Sequence, residues 1–212
     1  MLVNTANYIS GRVVLFIAAL VIKIHKPFGV QFELLESFIR EVVRYRSCVL
    51  PTVLQDAVIL IEDRRYYQHY GIDLLSIARA IVNNLLKNRF EGASTIVQQL
   101  VRNFTEERDL TLKRKLKEAL LSCLLCKKFS KEELLYAYCA TYKFYLSIGF
   151  LELSRLENYD WDKLDRYSVS SLTARLKFPK LGRNNYCRYL KRVRTIEIRL
   201  EMRSSKLDRR SV

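Results

Sequence analysis

Glycine and proline are scarce in this chain, 6 and 3 among 212 residues. Strand-type alternation is equally hard to find, and no low-complexity stretch or internal repeat interrupts the sequence. It therefore reads as continuous, mainly α and without a linker that would cut off an independent second domain. Acidic side chains are few: 22 Asp and Glu stand against 37 Lys and Arg, a net charge of +15. That excess implies an anionic partner, whether nucleic acid, a membrane surface or a phosphorylated substrate. Paired cysteine spacing is missing too. Cys48, Cys123, Cys126, Cys139 and Cys187 are odd in number and give no sign of a disulfide-stapled fold. Cys123 and Cys126 form a lone CxxC in an apolar helical segment, with no second CxxC and no nearby histidine, so both read as core-filling side chains rather than zinc or redox groups.

Half of the residues are apolar, enough for one sizeable core or two small lobes. The longest apolar block, Val13 to Ile22, lies between Arg12 and Lys23. It is shorter than the ~20 residues of a spanning helix, although snorkelling of the flanking cations would extend its reach. No small-residue cleavage site follows it, which favours a membrane anchor or signal-anchor over a removed leader. Residues 1–26 are thus expected to form the anchor and residues 27–212 the folded domain.

Helical periodicity runs from Phe32 to Tyr45, and Pro51 is placed to open a helix over Thr52 to Ile61. Asp73 is a candidate cap for a helix with apolar residues at 74, 77, 78, 81, 82, 85 and 86, which Asn88 to Phe90 would end. Ser94 or Thr95 would cap a helix through Asn103. Further helices are expected over Leu110 to Cys126, from a capping box at Ser130-Lys131-Glu132-Glu133 through about Tyr145, over Ser168 to Lys177, and over Val193 to Met202 after a loop from Pro179 to Asn185.

Three segments carry candidate chemistry. Glu62 and Asp63 end the apolar run Ala57-Val58-Ile59-Leu60-Ile61 and lead into Arg64-Arg65-Tyr66-Tyr67-Gln68-His69-Tyr70-Gly71. A carboxylate at the end of a buried helix is partly desolvated and so a better base; the blander reading pairs it with Arg64 or Arg65. His69 reads as an organiser of the loop. The second segment is the turn Gly92-Ala93-Ser94-Thr95, whose small residues and following helix N-terminus suit an anion. Gln98, Gln99, Arg102 and Asn103 follow on that helix, with Gln98 and Arg102 at i,i+4. In the third, Arg114, Lys115 and Glu118 share one side of a helix, so Glu118 should stay ionised. Such a cluster can hold a divalent cation through its carboxylate and a pyrophosphate through its cations. Read singly, each segment is also explained by an ordinary cap or surface ion pair.

Read together, the segments resemble the conserved blocks of the peptidoglycan glycosyltransferases, glycosyltransferase family 51. The family's first block, E-D-x-x-F-x-x-H-x-G, is matched by Glu62 through Gly71, and its second, G-G-S-T-I-T-Q-Q-L-x-K-N, by Gly92 through Asn103. Arg114, Lys115 and Glu118 match R-K-x-x-E; Ser130-Lys131 and Leu134-Leu135 through Tyr138 resemble the fourth block, and Arg192 to Met202 the closing arginine-rich helix. The resemblance spans roughly Val49 to Met202. It implies a lysozyme-like helical head with a small membrane-associated hydrophobic lobe, and a cleft between the Glu62 loop and the Glu118 helix. It further implies polymerisation of lipid II into glycan strands at the outer face of a bacterial cytoplasmic membrane. In that scheme Glu62 is the general base on the acceptor 4-hydroxyl, and Glu118 positions the reacting groups or a Mg²⁺ or Mn²⁺ ion. Arg102, Arg114 and Lys115 would neutralise the leaving pyrophosphate, and Ser94, Thr95, Gln98 and Asn103 would line the donor site. Asp63 and His69 complete the implied substrate-binding set. No organic cofactor is implied; the membrane and cell-wall synthesis proteins are the further partners. No transpeptidase block fits after Met202, so a monofunctional enzyme is expected.

Departures from the pattern are Tyr66 for Phe, Ala93 for Gly, Val97 for Thr, Arg102 for Lys and Ser122 for Ala. Leu125-Cys126 stands for Leu-Glu, Tyr136 for Glu and Ala140 for Asn, and Tyr142 to Tyr159 matches poorly. They leave a second reading, a catalytically impaired relative that binds lipid II or a cell-wall synthesis partner. A third, a basic nucleic-acid module built on Arg183 to Arg210 and the 13 tyrosines, lacks any nucleic-acid motif and does not explain the apolar block.

Overall fold

The computed structural model describes residues 13, 15–17, 20, 26–44, 52–87, 92–107, 109–140, 165–178 and 181–208. The expected anchor lies almost entirely outside these residues, as do Pro51 and the stretch from Tyr142 to Tyr159. Among the described residues all regular structure is helical, and no helix is long and apolar enough to cross a membrane.

Two compact units make up the chain. The first comprises residues 1–45 and 65–138, the second residues 46–64 and 139–212. In the first, helix α1 is Lys26–Arg44, beginning six residues before the expected Phe32, with Pro27 in its first turn. In this position proline's missing N–H removes no helical hydrogen bond. Phe28, Phe32, Leu35 and Ile39 of α1 are buried. A 3₁₀ turn at Tyr66–Gln68 leads to α3, Leu74–Lys87. The α3 cap is the one expected: Asp73 Oδ1 accepts from the N–H groups of Leu75 and Ser76 at 3.1 and 3.2 Å. Arg65 forks onto the same carboxylate at 3.0 and 3.1 Å. Burial pushes Asp73 up, but Ser76 and Arg65 outweigh it and hold the carboxyl below its usual value.

The apolar stripe of α3 departs from the sequence expectation. Of its members Leu85 and Leu86 are 76% and 78% exposed, and Leu74, Ile81 and Val82 are exposed as well. Periodicity identified an apolar face but not what covers it.

Helix α4, Ile96–Thr105, packs on α5, Leu112–Lys128, and α6 is Lys131–Cys139. Thr111 caps α5 by accepting from the Arg114 N–H at 3.2 Å, which places the start two residues later than expected. The capping box at α6 is present: Glu133 N–H donates to Ser130 Oγ at 3.1 Å, and Ser130 N–H to the Glu133 carboxylate at 2.7 Å.

The second unit contains α2, Thr52–Glu62, α7, Arg166–Arg175, and α8, Arg183–Asp208, each packed on the other two. Leu54, Ala57 and Val58 of α2 meet a core to which α8 contributes Val193, Ile196 and Leu200. Asp165 caps α7 by accepting from the Ser168 N–H at 2.8 Å, so this helix starts two residues earlier than expected. Helix α8 begins ten residues before the expected Val193 and absorbs the end of the presumed loop, with Gly182 N–H donating to the Asn185 side chain at 2.9 Å. A largely polar first half concealed it from a reading based on apolar spacing.

Candidate active site

In the first unit the ends of three sequence blocks are fastened together. Gly71 takes a φ of +83°, and a Cβ there would lie 2.7 Å from the Ser122 carbonyl carbon on α5. Only glycine meets both conditions. The Gly71 carbonyl accepts from Thr95 Oγ1 at 2.8 Å, and the Tyr70 carbonyl from the Cys123 thiol at 3.0 Å. The loop carrying His69 is thereby tied to the α4 cap and to α5. His69 is buried with its ring edge-on to Tyr66 at 6.4 Å, consistent with an organising position.

Thr95 is the α4 N-cap. Its Oγ1 accepts from the Gln98 N–H at 3.2 Å, while Gln98 Oε1 accepts from the Thr95 N–H at 3.1 Å. The buried Gln98 carbonyl is thus committed to a capping box, worth about 1 kcal/mol. The motif Thr95-x-x-Gln98 is a sequence signal for it. Asn103 is half-buried farther along α4.

Around Glu118 the expected Arg114 and Lys115 are present, and Arg102 of α4 joins them. Arg102 forks onto the carboxylate, Nε to Oε1 at 2.7 Å and Nη2 to Oε2 at 2.8 Å. Lys115 Nζ donates to Oε2 at 3.2 Å, and Arg114 Nη1 donates to Oε1. Ser94 Oγ accepts from Lys115 Nζ at 2.8 Å and from Arg102 Nη2 at 3.2 Å, closing the ring to the 92–95 turn. The cations are not equivalent. Arg114 is 6% exposed and its Nε is bound to the Asp109 carbonyl, so it acts as a buried strut, whereas Lys115 is 43% exposed. Burial pushes the Glu118 carboxyl up, but Arg102 and Lys115 more than offset this and hold it below its usual value. Burial and then the charge of Arg102 pull Lys115 below its ordinary value, against the opposing pull of Glu118. Three cations around one carboxylate leave two net positive charges, with Lys115 the most exposed of the three.

This donor set does not fit a divalent cation. Four charge-assisted hydrogen bonds already occupy the lone-pair positions of Glu118, and a metal ion would sit among three positive groups. Among the described residues no three His, Cys, Asp or Glu side chains come together as a ligand set. The expected metal role of Glu118 has no support in its surroundings. Burial pushes the Cys123 thiol up to about 12, in keeping with a core-filling side chain.

Several departures from the family pattern are satisfied within the first unit. The extra hydroxyl of buried Tyr66 donates to the Lys131 carbonyl at 2.7 Å, and Ser122 Oγ donates to the Glu118 carbonyl at 2.6 Å. Ala93 does not take a positive φ, so no glycine is needed there.

In the second unit Glu62 is the last residue of α2, with Asp63 buried beside it. The Glu62 carboxylate accepts from Arg192 Nη2 of α8 at 2.6 Å. Sequence reasoning proposed Arg64 or Arg65 as its partner; Arg65 is instead taken by Asp73. It also missed Arg192, which lies 130 residues from Glu62. The available signal was negative: the last turn of α2 has no basic residue, so a carboxylate at a helix C-terminus had to find its cation elsewhere.

Comparison with known proteins identifies the family. A model of the family described as transglycosylase matches residues 30–151, more than half of the chain. The chain belongs to the transglycosylase family. Its class is that of the glycosyltransferase enzymes of peptidoglycan and cell-wall biosynthesis. A putative transglycosylase of Cupriavidus necator is 37% identical over 164 residues, which are 76% of this chain and 69% of that protein. Penicillin-binding protein 1A of Rickettsia felis is 45% identical over 93 residues, 42% of this chain. Its counterpart in Neisseria lactamica is 44% identical over 89 residues. The matched segments span only 12% and 11% of those two longer proteins.

Proposed function

We propose that this transglycosylase polymerises lipid II into glycan strands by inverting transfer, with Glu62 as the general base. The observation that carries the assignment is the contrast between the two glutamates. Glu118 takes hydrogen bonds from three cations and is 2% exposed, whereas Glu62 is 15% exposed at the end of α2, with Arg192 Nη2 at 2.6 Å. A carboxylate locked by three cations cannot readily take up a proton, which leaves that task to Glu62.

In the transfer, the acceptor sugar's 4-hydroxyl loses its proton to the Glu62 carboxylate. Its oxygen forms the new bond to the anomeric carbon of the donor chain from the face opposite the leaving group. The bond from that carbon to undecaprenyl pyrophosphate breaks, and its electron pair departs with the pyrophosphate. Inversion follows from this single displacement, with a sugar hydroxyl in the role that water takes in inverting glycosidases. Lys115 and Arg102 supply the positive charge for the leaving group, and Glu118 with Arg114 holds those cations in place. Ser94 and the turn around it line the donor side. The exposed leucines of α3, with Leu110 and Leu112, suit insertion into the lipid surface on which such a substrate resides, at the outer face of a bacterial cytoplasmic membrane. Glycan synthesis from purified lipid II by the wild type, and its loss in Glu62→Gln, tests the assignment. Lipid II binding without synthesis would favour the impaired relative.

A further inference from the structure

Arg192 and Arg203 of α8 each meet a carboxylate of α2, and the two pairs differ in kind. Arg203 Nη2 meets Asp56 Oδ1 at 3.0 Å with both side chains well exposed, an ordinary surface clasp. Arg192 meets Glu62 at 2.6 Å with the two side chains only 22% and 15% exposed. Arg192 Nε is buried and has no hydrogen-bond partner among the described residues. A pair selected for stability would use the guanidinium as a two-point fork, as Arg102 does on Glu118. Arg192 instead gives one nitrogen and leaves another buried without a bond, which costs stability. The helices do not need this contact to dock, since Tyr189, Val193 and Ile196 of α8 are already buried on the same side. Of the other charged side chains on the packed elements, Arg166 meets Glu201, Arg194 meets Glu197, and Arg175 lies over the Tyr189 ring.

We propose that Arg192 is a positioning residue for catalysis, fixing the direction in which the Glu62 carboxylate faces the acceptor hydroxyl. The inference rests on the reading of Glu62 as the base. Arg192 springs from a packed stretch of α8, between the buried Tyr189 and Val193, so its contact ties the Glu62 carboxylate to that helix. A small misplacement of a reacting group costs on the order of a hundredfold in rate.

The experiment compares lipid II polymerisation by the purified full chain with that of Arg192→Ala and Arg203→Gln, measuring kcat and KM and adding methylguanidinium to each. Arg192→Ala should lower kcat roughly a hundredfold with KM within about threefold. Methylguanidinium should restore at least a tenth of the lost rate, where tetramethylammonium at equal ionic strength restores none. Arg203→Gln, which cuts a second tie between the same helices, should leave kcat near wild type. Equal losses in the two variants, or no response of Arg192→Ala to methylguanidinium, would overturn the proposal by reducing Arg192 to a helix tie. If Arg192→Ala does not fold, Arg192→Lys carries the test: kcat reduced roughly tenfold at an unchanged melting temperature supports positioning, and an unchanged kcat overturns it. A wild type that makes no glycan sinks the base reading and this proposal together. An active wild type with an equally active Arg192→Ala sinks this proposal alone.

Discussion

Arg102 and Glu118 meet as a two-point fork, Nε to Oε1 at 2.7 Å and Nη2 to Oε2 at 2.8 Å. The family pattern places lysine at the arginine's position, and a lysine keeps the charge but cannot bridge both oxygens while also reaching Ser94. Arg102→Lys should therefore destabilise the protein by about 1–2 kcal/mol, read as a shifted denaturant midpoint. An unchanged midpoint would show that the fork adds nothing beyond its charge.

The same pair gives a pH dependence. Because the Glu118 carboxyl lies below its usual 4.5 in the folded state, its stabilising contribution is complete above that value. It is lost as pH falls through the lowered folded value. Asp73, lowered from 3.8, acts in the same direction. Wild type should lose stability steeply on acidification below about pH 4.5. Glu118→Gln should be less stable at neutral pH and show a flatter acid limb, so parallel acid limbs in the two proteins would refute the linkage.

Gly71 is confined twice, by a φ of +83° and by the α5 backbone 2.7 Å from where a Cβ would lie. Gly71→Ala should cost about 2–5 kcal/mol by strain and overpacking together. Circular dichroism melts of the two proteins measure it; a change below about 1 kcal/mol would mean that the loop relaxes freely.

Glu106 presents the opposite case, an exposed residue with a φ of 53° closing α4, its N–H bonded to the Arg102 carbonyl at 3.0 Å. Glycine suits that C-terminal position better. Glu106→Gly should stabilise by about 0.5–1 kcal/mol, and a destabilised variant would mean that the glutamate side chain contributes more than its backbone strain costs.

Pyrophosphate binding separates the cationic cluster from any metal. With both oxygens of Glu118 occupied and two net positive charges around it, inorganic pyrophosphate should bind in the presence of EDTA. Lys115→Ala should weaken that binding roughly tenfold. Calorimetry in which binding is seen only after Mg²⁺ is added would contradict this.

Local signals in the sequence were sufficient for local structure. The Asp73 cap and the Ser130–Glu133 box are short-range hydrogen-bond patterns, and both occur as the residue types require. Helix starts slipped where apolar spacing was the guide: α8 opens with Arg183-Asn184-Asn185, a polar turn that gives no periodic signal. Arg114 and Lys115 beside Glu118 were legible because i−4 and i−3 share one side of a helix, whereas the fork from Arg102 depends on how α4 packs on α5. The burial of Arg114 and the outward turn of the α3 leucines depend on what packs against them, which spacing does not encode. Arg192 was beyond reach for the same reason, since only tertiary folding brings α8 to the end of α2.

Incubation of purified lipid II with wild type, Glu62→Gln and Glu118→Gln, with glycan strands separated by size, tests the central claim most directly. The account predicts strands from wild type, none from Glu62→Gln at matched folded protein, and reduced but measurable synthesis from Glu118→Gln. Wild-type rates from Glu62→Gln would contradict it, because the base would then have to be another group.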